Sequence, residues 1–416
     1  MSIEKFNKIV PRQLTLKKIL LILGIIVVVI FWLNSSDSEQ KLNLENNYQA
    51  EAKRIVALCA EESHKPKCYD EVIPKVMDNG FTMEEAFEIT SLVQDIDPSY
   101  QYCHVLGHEL SARETAKDPS KWKDVVARSP LGICSNGGIH GAFQERFRVE
   151  SFAGQSVDEI VPEIEGVCEP REGWAPTRMG QATCTHALGH LTMYITGGEI
   201  DPALELCDRL LDPDPRSSLR QLCYDGAFMQ IYQPLEPEDF ALIAGKEIKT
   251  QDESEIFCEN FSGATKGSCI SESWPLYRGL FSNPATINEV CSRADFDEWQ
   301  YERCMNGVFY VAMAQSNLSV DWARDFCSEV DEALRGPCYG NSASRLIEVD
   351  DRNIEKALEL CGDAVDETSK NACFDELLKY SAYTFSAGSP PFFQLCEGLP
   401  EPWSAKCLRQ APVEKL

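Results

Sequence analysis

Eighteen cysteines, and above all the distances between them, limit what this chain can fold into. They stand at 59, 68, 103, 134, 168, 184, 207, 223, 258, 269, 291, 304, 327, 338, 361, 373, 396 and 407. Taken in order as nearest pairs, eight pairs close spans of 9 to 16 residues and Cys103–Cys134 closes 31. The stretches between pairs fall into two classes, 22–23 and 34–35 residues. Recurrence this tight marks an internal repeat.

The residues around each pair define the repeat unit. The first cysteine ends an amphipathic run that opens with a capping signal: Asp201-Pro202 before Cys207, Asn283-Pro284 before Cys291, and Asp350 before Cys361. Asp or Asn at a helix N-cap, with Pro at the first helical position, is a start signal, because Pro lacks only an N–H that would be unsatisfied there anyway. The second cysteine opens another run with apolar residues at helical spacing, as in the segments after Cys304 and Cys373. The unit is a helical hairpin with a disulfide joining the end of its first helix to the start of its second. Closing each loop stabilises the fold by roughly 2–3 kcal/mol on the chain-entropy view.

The chain is predicted to be all-α, an α-solenoid-like array of disulfide-stapled hairpins. In architecture, residues 160–410 resemble the cysteine-rich Sel1-like and tetratricopeptide-like repeat proteins. The resemblance rests on the recurrence of Cys168, Cys207, Cys291, Cys327, Cys361 and Cys396, with Cys258 set further from Cys207. It implies a concave surface for a peptide or a cell-envelope protein partner, and it assigns no functional residue.

Compartment decides what cysteines mean. Five basic residues between Lys5 and Lys18 precede an uncharged apolar run, residues 19–33, and then Asn34-Ser35-Ser36-Asp37. No small-x-small cleavage site follows the run, and Phe31 and Trp32 stand where one would lie. We read an uncleaved signal anchor, with a cleaved signal peptide as the alternative. The N-terminus is expected in the cytoplasm and the bulk of the chain outside it, where disulfides persist. The expected organisation is a basic tail and anchor (1–35), a stalk (36–50), a histidine-bearing helical region (51–198) and a regular hairpin array (199–416). A net charge of −27 argues against nucleic-acid binding, which needs a basic footprint.

Familiar chemistries are missing. No two cysteines are closer than nine residues, so Cys-x-x-Cys sites for zinc ribbons, thiol redox or c-type haem attachment are excluded. No zincin, G-x-S-x-G or phosphate-loop pattern occurs.

The histidines remain. Five of the six fall between 104 and 190, and His104-Val-Leu-Gly107-His108 and His186-Ala-Leu-Gly189-His190 share His-x-Leu-Gly-His. Spacing i, i+4 on a helix puts both imidazoles on one face, as a metal requires from one element. Gly107 and Gly189, each costing about 1 kcal/mol inside a helix, imply that something large lies close: a cofactor, a ligand or a neighbouring helix. His64, in a Lys-Pro-rich segment, is expected at the surface. His140-Gly-Ala-Phe repeats in Asp225-Gly-Ala-Phe, and Cys304-Met-Asn306-Gly echoes it. One slot then holds His140, His186, Asp225 or Asn306 in successive hairpins, lining a polar groove or capping helix starts.

With no free thiolate, imidazoles favour zinc, copper or iron over calcium or magnesium. His104, His108, His140, His186, His190 and Asp225 are the candidate ligands, in one site with an open position or a two-metal pair. Glu109 and Glu145 are candidate general bases, and haem between two histidines is a further candidate. Two other readings compete: histidines acting as acid–base groups without metal, and structural histidines in a non-catalytic binding scaffold.

Overall fold

The computed structural model describes residues 45–148, 156–211, 218–292 and 296–410. The expected anchor, 1–35, and stalk residues 36–44 lie outside the described residues. Among those described, no helix is long and apolar enough to cross a membrane. Residues 45–50 correct the end of the stalk, since they open a helix over 45–59 that buries Ala52, Ile55 and Cys59.

Every element among the described residues is helical, apart from isolated bridges at Ile133–Asp350 and Arg171–Trp174. All eighteen cysteines are joined to their nearest partners in sequence order, as the spacing predicts. Nine disulfides indicate an oxidising compartment.

The hairpin is clearest in the later repeats. A short helix Val320–Glu329 carries Cys327, a longer one Glu332–Val349 carries Cys338, and the pattern recurs in Ile354–Gly362 with Cys361 and Glu367–Thr384 with Cys373. The start signals are less regular than the sequence implied. Helix Ile200–Leu210 is capped at Glu199, which puts Asp201 and Pro202 inside its first turn. Asn283 opens a run of turns, accepting from the Ala285 N–H at 3.0 Å, and regular helix begins only at Glu289. Asp350 caps a 3-10 turn by accepting from the Arg352 N–H at 2.9 Å before helix Ile354–Gly362 begins.

Eight helices form an inner layer, each but α1 carrying or following the second cysteine of a pair: α1 His104–Lys117, α2 Gly138–Arg146, α3 Arg178–Ile195, α4 Ser218–Tyr232, α5 Gly263–Glu272, α6 Glu298–Gln315, α7 Glu332–Val349 and α8 Glu367–Thr384. Each packs on the next, and the short helices cover them from outside. The apolar core divides between Ile270 and Tyr277. Helix Ile200–Leu210 packs directly on α3, so the repeat is continuous between the two.

The array is not an open solenoid. α8 packs back on α3, whose Met179 enters the second core. Beyond α7, the Asp351 N–H donates to the Gly132 carbonyl at 2.9 Å, and Arg352 reaches Asp95 at 2.9 Å. Gly132 takes φ +76°, a left-handed turn that brings its carbonyl to this junction. Late repeats therefore seal against residues 91–136.

Candidate metal centre

Two close helix pairs position the histidines. α1 begins immediately after Cys103, and the disulfide to Cys134 holds its start beside the turn that opens α2, with Cα atoms 4.6 Å apart. The helices then meet backbone to backbone. A Cβ on Gly137 would stand 2.2 Å from the His104 carbonyl oxygen, and one on Gly141 1.9 Å from that of His108. α3 and α4 repeat the arrangement, with a Cβ on Gly226 falling 2.1 Å from the His186 oxygen. What presses on the glycines of His-x-Leu-Gly-His is the neighbouring helix.

α1, α2 and α3 bring all five clustered imidazoles together. His104 Nε2 and His108 Nε2 are 3.1 Å apart, and His186 Nε2 and His190 Nε2 are 3.3 Å apart. Two nitrogens bound at 2.0–2.1 Å in tetrahedral geometry stand about 3.3 Å apart, so both pairs have chelating separation. His140 sits between the pairs, its ring 5.0 Å from those of His104 and His108 and 5.7 and 5.4 Å from those of His186 and His190. His104, His108 and His140 are buried, and ligand atoms of all three lie within 4.8 Å of one another, a group able to hold a metal ion. Haem does not fit here, because His140 fills the gap between the pairs where a porphyrin would have to lie. His64 is exposed and caps helix Lys65–Val72, accepting from the Lys67 N–H at 3.2 Å.

Packing corrects the register read from the Gly-Ala-Phe match. Gly137 and Gly226 both stand three residues after the second cysteine of a pair, and both press on the carbonyl of the first His in His-x-Leu-Gly-His. Asp225 is thus the counterpart of Asn136, and His140 that of Met229, one helical turn away. Asp225 is buried and pairs with Arg303 of α6, while its Oδ1 has no hydrogen-bond partner. Asn306 is exposed and accepts from Asn341 at 3.0 Å, so it lines no buried groove.

The two expected general bases face away from the imidazoles. Glu109 is exposed and accepts from Arg113 Nε at 2.7 Å, and Glu145 pairs with Arg148. Successive helix residues point about 100° apart, so the neighbour Gln144 lines the cleft instead. Other groups take the places beside the rings. Glu236 Oε1 lies 3.2 Å from His108 Nδ1, and Gln230 Oε1 2.7 Å from His190 Nδ1. Asp239 accepts from the Leu235 and Glu236 N–H groups at 3.0 Å and from the Tyr194 hydroxyl, which fixes the segment bearing Glu236 on α3. The only sequence signal at Glu236 is a capping one, Glu236-Pro237 before Asp239, and it carries no hint of a histidine partner.

Burial first, then mutual repulsion, holds the cluster uncharged. His104, His140 and His186 lie well below the ordinary imidazole range, His190 is lowered by burial, and His108 is brought down to about 4 by burial with repulsion from His190. Glu236 is raised to about 7 by burial and by Asp239. Acceptors at Nδ1 of His108 and His190 favour the tautomer whose Nε2 lone pair faces inward. His104, His108, His140 and His190 border a narrow cleft shared with Tyr194 and Leu235. No family model, curated protein or solved structure matches the chain, so the site is read from its own geometry.

Proposed function

We propose that this is an exported, membrane-anchored metal-binding protein in which His104, His108 and His140 hold a transition-metal ion, zinc, copper or iron. Residues 19–33 tether it, and the helical body lies outside the cytoplasm. The observation that carries the reading is His140: its Nε2 is buried and has no hydrogen-bond partner, beside two Nε2 atoms at chelating distance. A hydrogen bond between neutral imidazoles would account for the facing Nε2 atoms of His104 and His108 but leaves His140 Nε2 unsatisfied, at a cost of about 1–3 kcal/mol. Three nitrogen ligands leave a coordination position for water or a small donor from the cleft. On this chain's side, Glu236 orients His108 through Nδ1, and the Tyr194–Asp239 pair holds Glu236 in place.

Elemental analysis of the full chain, purified without chelator and then offered Zn(II), Cu(II) or Fe(II), tests this. Bound metal is expected, with loss of the triad's ion in His108→Ala and His140→Ala at equimolar metal. A folded chain that takes none of the three ions, or variants that bind as tightly as the parent, would leave the histidines with the structural role of a binding scaffold.

A further inference from the structure

We infer that His186 and His190 hold a second metal ion beside the first, making the five histidines a two-metal centre. This deepens the triad reading and rests on separate residues. The pair reproduces the first chelating pair in sequence, in helix position and in Nε2 separation, 3.3 Å against 3.1 Å. The outer nitrogen of His190 is occupied as a metal ligand requires, its Nδ1 meeting Gln230 Oε1 at 2.7 Å. Both Nε2 atoms are then left to face one another, with His140 stacked at 5.7 Å on the His186 ring.

The surroundings admit a cation. Arg303, the charged group facing His186, is matched by Asp225 and lies beside the half-buried Glu272, so its charge is already balanced. The second pair lacks a third imidazole from the next helix, because Met229 stands where α2 has His140. An ion there has two protein ligands of its own and depends on water or a cleft ligand to complete its shell. It is expected to bind more weakly than the first and to exchange more readily.

The test is stoichiometry on the full chain, by calorimetric titration with Zn(II) and elemental analysis after desalting. The parent should bind two ions in two steps of different affinity, the double variant His186→Gln/His190→Gln one, and His104→Gln/His108→Gln one weakly. Circular dichroism establishes that each variant is folded. One ion in the parent, unchanged in His186→Gln/His190→Gln, overturns the second site and leaves the triad standing. One ion lost only in His186→Gln/His190→Gln would overturn the triad instead, and none in the parent overturns both. A second measurement needs no variant: the parent loaded with two Cu(II) ions should give the electron paramagnetic resonance signal of magnetically coupled neighbours. Two independent copper signals would sink the proposal.

Discussion

Gly141 and Gly307 are both helical glycines, and a methyl group added at each has opposite consequences. A Cβ at Gly141 would meet the His108 carbonyl oxygen at 1.9 Å, whereas nothing lies within 4 Å of one at Gly307. Gly141→Ala should therefore push α2 off α1, lower stability by about 2 kcal/mol or more and abolish metal binding, since overpacking at a backbone contact cannot be relieved by a rotamer change. Gly307→Ala should raise stability by up to about 1 kcal/mol through helix propensity alone and leave metal binding unchanged. Thermal denaturation with metal titration of both variants checks the pair. At this scale the sequence was readable where local geometry decides. His104 with His108 and His186 with His190 share a face because i, i+4 positions on any helix do. Glu236 was not readable, being 128 residues from His108 and brought there only by packing. The match between His140 and Asp225 misled because a three-residue Gly-Ala-Phe identity can slide by one turn, and the glycine contacts settle which turn is equivalent.

Each hairpin is an element held at two levels, a covalent staple and a shared core. Cys327–Cys338 spans 11 residues and ties α7 to the short helix before it, and neither cysteine stands on a helix that carries a clustered histidine. Replacing both cysteines by serine is expected to lower stability by about 2–3 kcal/mol, read by urea denaturation, and to leave metal affinity untouched. Cys103–Cys134 should behave differently, because it seats the start of α1 against α2 within the triad. The pairing of every staple was legible from spacing, since short loops between cysteines leave the nearest partner favoured. Helix beginnings were less so. Asp201-Pro202 looks like a cap, yet the helix starts two residues earlier, and Asn283-Pro284 opens turns, with regular helix only from Glu289.

Closure is a property of the whole molecule that no local pattern announces, because it depends on residues 91–136 meeting residues 350–352. Its electrostatics give a pH test. Asp351 is raised to about 6 by burial and by the adjacent Asp350, against the pull of Arg352. A carboxyl raised in the folded state binds protons more tightly there than when unfolded, so its contribution is complete below about pH 4 and declines as pH rises through about 6. Asp351→Asn should therefore raise the melting midpoint at pH 7.5, by less than about 1 °C for a few tenths of a kcal/mol in a chain this long, and leave it unchanged at pH 4. The seal also changes how such a chain comes apart. Open repeat arrays fray from their ends, each terminal unit leaving with only one neighbour to hold it. Here α7 and α8 each touch both their sequence neighbours and the early repeats, so peeling the late units away first requires breaking the junction at Gly132, Asp95 and Arg352. Unfolding is then concerted rather than progressive, and the histidine cluster, bounded by the helices that take part in that junction, keeps its shape until the ring as a whole gives way.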